Sequence, residues 1–118
     1  MATICVLLLA DTVTPEAMGR MANALTTVME CDEAGDDVVL IFDGAATRWA
    51  GELSKSDHKY HDAFQKIRHR LTAVCSYCAT AYGVADEIRA VGLPLSSEFR
   101  GHPSIRTLVH DGYGVISF

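Results

Sequence analysis

The sequence predicts an α/β fold, a three-layer α/β/α sandwich around a mostly parallel five-stranded sheet. Three observations carry this. The runs over residues 4–9 and 38–42 are apolar without alternation, the pattern of strands buried on both faces. Segments of helical periodicity separate the candidate strands. The resulting order is βαβαβαβαβ, and each strand–helix–strand unit closes by a right-handed crossover.

Taken in order, residues 4–9 form the first strand. Thr14-Pro15-Glu16 is a helix start, with Thr14 as N-cap, Pro15 at the first helical position and Glu16 on the positive end of the dipole. Met18, Met21, Leu25, Val28 and Cys31 follow at helical spacing, and Gly35 stops the helix. Residues 38–42 form the second strand, ended by Asp43-Gly44. Residues 45–53, with Trp49, read as a short helix, and residues 54–59 as a polar loop. Tyr60, Phe64, Ile67 and Leu71 recur at helical spacing, which predicts a helix over about 57–70. Leu71-Thr72-Ala73-Val74 is the third strand, and residues 79–90 read as the helix after it, stopped by Gly92. Leu93-Pro94-Leu95 fits only a short edge strand, because Pro94 has no N–H for a ladder. Pro103 sits at the start of a last helix carrying Ile105, Leu108 and Val109. Residues 114–118 are the final strand.

The 118 residues suit one domain, spanning 1–118, with no linker, repeat or low-complexity segment. Ten Lys and Arg against fifteen Asp and Glu give a formal net charge of −5, with no basic run. Nucleic acid and anionic membranes are therefore not expected partners. No apolar run is long enough to span a bilayer. The apolar start has no Lys or Arg ahead of it and meets Asp11 at once, so it reads as a strand rather than a signal peptide. A cytoplasmic location follows as an expectation, and with it reduced thiols.

The chemistry gathers at Cys75-Ser76-Tyr77-Cys78, a Cys-x-x-Cys pair in a chain of four cysteines. It lies where the third strand passes into a helix, at the carboxyl edge where open α/β sheets bind ligands. A thiol there faces free N–H groups and the positive end of the dipole, which favours its thiolate. Three readings stand: a redox or sulfur-carrying pair, half of a zinc site, or two small buried residues. No second Cys-x-x-Cys or His-x(3–5)-His follows, which weakens the zinc reading, so no metal is expected; a sulfur-carrying thiol needs no organic cofactor, and none is expected either. Cys5 and Cys31 read as core. Asp43 and Gly44 end the second strand at the same sheet edge. His58 and His61, three apart, reach the thiols only if their loop folds over that edge, and His102 lies in a loop before Pro103.

Several segments resemble the DsrE/DsrF-like family, the sulfur-relay proteins that include the TusD type. They are Gly19-Arg20-Met21-Ala22-Asn23-Ala24-Leu25, Val39-Leu40-Ile41-Phe42-Asp43-Gly44-Ala45, Asp57-His58-Lys59-Tyr60-His61, residues 74–83, and the tail from Gly101-His102-Pro103-Ser104 to Phe118. The resemblance spans nearly the whole chain and implies a three-layer α/β/α domain that assembles as a homo-oligomer, often a trimer or hexamer. It also implies that one cysteine, matched here by Cys78, carries sulfur as a persulfide between donor and acceptor proteins or small persulfides. Cys75 is additional to the simplest relay pattern, and a second thiol three residues away can strip a persulfide by forming a disulfide.

The first functional expectation is thus a sulfur carrier or sulfurtransferase, with Cys78 as carrier and Cys75 as a resolving or protecting thiol. The alternatives are a dithiol/disulfide redox protein and a non-enzymatic oligomeric binding module. Both Cys75 and Cys78 are expected to alkylate before Cys5 and Cys31.

Overall fold

In the computed structural model, which describes residues 1–118, five strands form one all-parallel sheet. They are β1 (Thr3–Leu8), β2 (Asp37–Phe42), β3 (Leu71–Cys75), β4 (Leu95–Ser96) and β5 (Gly114–Ser117), in the order β4-β3-β2-β1-β5. The helices are α1 (Pro15–Glu33), α2 (Trp49–Ser54), α3 (His61–Ile67), α4 (Ser76–Ala81), α5 (Ala85–Ala90) and α6 (Ile105–His110). The three-layer α/β/α arrangement expected from the sequence is present.

The two faces of the sheet are unequally covered. Val6, Leu8, Val38, Leu40, Phe42 and Val74 point into a core of 21 buried residues shared with α1, α2, α3, α4 and α5. The opposite face buries only Cys5, Ile41 and Ala73, covered by Ile105 and Leu108 of α6. Alternate residues of one strand thus enter different layers, as the pleat requires.

Helix α1 begins as its capping residues dictate. Thr14 Oγ1 accepts from the Ala17 N–H at 3.1 Å, and Pro15 occupies the first helical turn. It buries Met21, Ala24, Leu25, Val28 and Cys31 in one stripe. At its end the Asp36 N–H returns to the Cys31 carbonyl at 2.9 Å, which closes the helix around Gly35.

Three segments differ from the sequence expectation, each for a local reason. The helix expected over 79–90 is two helices. Gly83 adopts φ +73°, the Gly83 N–H bonds the Thr80 carbonyl, and the Val84 N–H reaches back to Ala79 at 2.8 Å. That is a helix-ending motif, so α4 stops and the chain turns into α5. The helix expected over 57–70 is ordered as α3 only from His61, after a turn in which His58 Nδ1 accepts from the Tyr60 N–H. It tightens to a 3₁₀ turn over Arg68–Arg70 before β3. The helix expected over 45–53 opens as a 3₁₀ turn, Gly44–Arg48, capped by Asp43, and becomes α2 only at Trp49.

Two details set the height of the site. The register between β2 and β3 shifts between Leu40 and Ile41, so that Leu40 faces Leu71 while Ile41 faces Ala73. The extra residue, Thr72, bulges outward and is exposed. Beyond the shift, Val74 pairs with Phe42, and Cys75 follows at the end of the strand. At the edge, the Val74 N–H donates to the Pro94 carbonyl at 2.7 Å, so Pro94 accepts from the sheet without needing to donate.

Candidate functional site

Parallel strands present their carboxyl ends together. Because β2, β3 and β4 are neighbours, the residues that follow each of them meet at one rim. Asp43 follows β2. Cys75 ends β3 and Cys78 lies in the first turn of α4. His102 lies in the loop after β4. Their ligating atoms all fall within 4.8 Å of one another.

Each member is held from its own backbone. The Asp43 N–H donates to the Leu8 carbonyl at 3.0 Å, and Asp43 Oδ1 accepts from the Gly44 N–H at 2.7 Å. Cys75 is the N-cap of α4, and its Sγ accepts from the Cys78 N–H at 3.4 Å. A thiol here does what Ser or Asp does at other helix starts. The loop carrying His102 is pinned twice. Phe99 and His102 exchange backbone hydrogen bonds of 2.8 and 2.9 Å, and the Tyr77 N–H donates to the Gly101 carbonyl at 2.8 Å. The turn between them is tight, with Arg100 at φ +50° and Gly101 at φ +88°. A non-glycine residue in that region costs about 1–3 kcal/mol and persists only where its surroundings enforce it. Gly101 has a second constraint: a Cβ there would lie 3.2 Å from the Tyr77 Cβ. The Tyr77 ring stacks obliquely on the His102 imidazole, with centroids 4.8 Å apart.

The side chains then pair off. Cys75 Sγ is 3.2 Å from His102 Nδ1, and Cys78 Sγ is 3.4 Å from Asp43 Oδ1. The two cysteines are close without being bonded; all four cysteines of the chain are free. They differ in access, because Cys75 is fully buried whereas Cys78 is partly exposed. Burial pushes the Cys75 thiol up to about 12; the Cys78 N–H works in the opposite direction, but the Cys78 thiol and the Asp43 carboxylate add to the rise. This corrects the expectation that the helix start makes Cys75 a thiolate. Loss of water outweighs one N–H contact at the start of a six-residue helix.

Of the residues singled out in the sequence, Asp43, Cys75, Cys78 and His102 converge, and Gly44 serves them by fixing the carboxylate. His58 and His61 lie outside the cluster. His58 sets its edge against Trp49, and His61 Nδ1 bonds the Leu53 carbonyl at 2.7 Å, so both brace the loop before α3. Cys5 and Cys31 are buried in the core, and burial raises both thiols. Tyr77 went unnoticed in the sequence; its position inside the Cys-x-x-Cys pair was the available signal. The crevice at the topological switch point, between β1 and β5, is about 280 Å³ and lined by Leu9, Asp11, Glu16, Arg20 and Phe118 among others. It contains none of the four cysteines and no histidine; its polar lining is Asp11, Glu16, Arg20 and Ser117.

The burial of Cys75 corrects the expectation that both thiols of the pair alkylate early, and the access difference sets a new order. In the folded, reduced protein, Cys78 should react with iodoacetamide well ahead of Cys5, Cys31 and Cys75. Peptide mapping over a time course reads this directly, and parallel labelling of Cys75 and Cys78 would contradict the burial described here.

No protein-family model matches the chain. Among solved structures, it resembles a conserved protein of unknown function, BT1422, from Bacteroides thetaiotaomicron. The TM-score is 0.64 at 15% identity, over 97% of this chain and 94% of the other. It also resembles the ychN protein from E. coli, with a TM-score of 0.60 at 18% identity over the whole of both chains. At these identities the likeness concerns the fold alone. In sequence, the chain is 32% identical to the uncharacterised protein MJ0733 of Methanocaldococcus jannaschii over 99 residues, which is 84% of this chain and 80% of the relative. With that identity sustained across most of both chains, this protein belongs to the same family as MJ0733.

Proposed function

We propose that this protein is a DsrE/DsrF-like cytoplasmic sulfur carrier that holds sulfane sulfur as a persulfide on Cys78. The observation that carries the reading is the inequality of the two thiols at one sheet edge: Cys78 is reachable, and Cys75 lies beneath it. In the loading step the Cys78 sulfur attacks the outer sulfur of a donor persulfide, R–S–SH. The donor S–S bond breaks, R–S⁻ leaves, and Cys78–S–SH forms. Asp43 Oδ1, 3.4 Å from Cys78 Sγ, is placed to take the thiol proton and return it to the leaving thiolate. An acceptor thiolate then attacks the outer sulfur and regenerates Cys78. No organic cofactor enters the cycle.

A dithiol reading is favoured by one further observation, the approach of both sulfurs within 4.8 Å. Attack of Cys75 on the inner sulfur of the persulfide releases HS⁻ and leaves a Cys75–Cys78 disulfide, which an external dithiol must then reduce. Mass spectrometry under non-reducing conditions, after exposure to a small persulfide donor, separates the two. The carrier reading expects the mass of one added sulfur atom on the peptide holding Cys78. A disulfide formed with no persulfide at any time point would favour the dithiol reading.

Assembly belongs to the same proposal. The face of the sheet covered by α6 is thin, and α6 has no buried residue of its own. Val109, Val115 and Ile116 are 56%, 37% and 43% exposed, an apolar margin along α6 and the edge strand β5. A homo-oligomer, a trimer or hexamer, is expected to cover it. Sedimentation velocity at micromolar concentration checks this, and a monomer across that range would count against it.

A further inference from the structure

The cysteines share their rim with Asp43 and His102, and the four together are the donor set of a transition-metal site. We propose that Asp43, Cys75, Cys78 and His102 bind one zinc ion through two sulfurs, one imidazole nitrogen and one carboxylate oxygen. This stands independently of the sulfur-carrier reading, since it uses the rim as a ligand cage rather than as a nucleophile.

Geometry is the first argument. Tetrahedral zinc takes sulfur at about 2.3 Å, imidazole nitrogen at about 2.0–2.1 Å and carboxylate oxygen at about 2.0–2.2 Å. Ligand atoms around such an ion are therefore roughly 3.3–3.8 Å apart, from the same bond lengths at a tetrahedral angle. Two pairs already stand at nearly that separation: Cys75 Sγ to His102 Nδ1 at 3.2 Å and Cys78 Sγ to Asp43 Oδ1 at 3.4 Å. No pair of the four ligating atoms exceeds 4.8 Å, so closure around an ion needs shifts of about 1 Å or less at each ligand, given those bond lengths.

The supporting contacts are the second argument. Metal ligands are normally oriented by hydrogen bonds from a surrounding shell, and two of these four, Cys75 and Asp43, receive one. The Cys78 N–H points at Cys75 Sγ, and the Gly44 N–H points at Asp43 Oδ1. The His102 ring is braced by Tyr77, and its backbone is tied to Phe99. The strained turn at Arg100 and Gly101 places His102 over the thiols, which a loop without a task there would not require.

The donor chemistry is the third. Two sulfurs with one nitrogen and one oxygen, in a tetrahedral arrangement, suit zinc better than the octahedral, oxygen-seeking Mg²⁺ or Ca²⁺. Binding displaces a proton from each thiol, so one Zn²⁺ enters as two H⁺ leave. With the Asp43 carboxylate and a neutral imidazole, the filled site carries one net negative charge. Zinc and sulfane sulfur would compete for the same Cys78 sulfur, so the two forms of the protein exclude each other.

Cobalt substitution tests the site without any sulfur donor, so its outcome is separate from that of sulfur loading. Reduced, metal-free protein is titrated with Co²⁺. The expected result is one equivalent bound, with the intense visible bands of tetrahedral Co²⁺ and near-ultraviolet thiolate charge transfer, both erased by one equivalent of Zn²⁺. Asp43→Asn and His102→Ala each alter a direct ligand and should each weaken zinc binding by at least roughly a hundredfold in competition with a chromophoric chelator, since loss of even a supporting partner costs about 10–100-fold. Zinc-edge X-ray absorption on the unmutated protein guards against variants that fail to fold, and should count two sulfur and two nitrogen or oxygen neighbours. A weak octahedral cobalt spectrum, no uptake at micromolar metal, indifference to both Asp43 and His102 in folded variants, or four sulfur neighbours would each overturn the proposal.

Discussion

Cys78→Ser is expected to abolish sulfur loading altogether, while Cys75→Ser loads as the unmutated protein does. A hydroxyl is a far weaker nucleophile than a thiolate and cannot hold sulfane sulfur, so the first substitution removes the carrier atom itself. The second removes a thiol that is fully buried and out of reach of a donor. It also removes the internal attacker, so the persulfide on Cys78 should live longer in Cys75→Ser than in the unmutated chain. The measurement is the mass gain of one sulfur atom on each variant, followed in time and located by peptide mapping. A dithiol mechanism predicts a different pattern, in which either substitution stops turnover and the unmutated protein accumulates a Cys75–Cys78 disulfide. Sulfur found on Cys75 would sink the assignment of Cys78.

Phe42→Ala should cost about 3–5 kcal/mol of folding stability, the usual range for an aromatic truncated in a packed core. Phe42 is fully buried at the end of β2, stacks on Phe64 with centroids 6.0 Å apart, and pairs across the sheet with Val74. Domains of this size are stable by only about 5–15 kcal/mol, so the loss is a large share of the whole. Urea unfolding followed by far-UV circular dichroism reads it as a lower midpoint at unchanged slope. The same substitution should loosen the site, because Phe42 and Val74 form the last pair between β2 and β3, directly before Asp43 and Cys75. A cost below about 1 kcal/mol would mean the core relaxes into the cavity far more than is usual for buried aromatics.

The elements that local chemistry dictates were legible in the sequence. Thr14-Pro15 starts α1 because a side-chain oxygen and a fixed φ serve a helix end wherever it lies. The unbroken apolar runs became β1 and β2, buried on both faces, because only a central parallel strand needs no polar side. Where the reading erred, a local signal was outweighed by its setting. Gly83 is one glycine among nine in the chain, and only the closing bonds from Gly83 and Val84 show that it ends a helix. Cys75 sits at a helix start, which favours a thiolate, yet it is buried by the elements packed around it, and burial decides.

Periodicity and neighbours along the chain are enough to specify the parallel α/β architecture and a thiol pair at a strand–helix junction. What stands around that pair depends on how the chain packs in three dimensions. Asp43 is 32 residues before Cys75 and His102 is 27 after it. Neither spacing is a motif, and neither residue lies near the pair in sequence. They meet because β2, β3 and β4 lie side by side with their carboxyl ends at one rim, and because a strained turn at Arg100 and Gly101 folds His102 back over it. Strand order is set by which faces bury together, a property of the whole packed chain that no single stretch of it encodes.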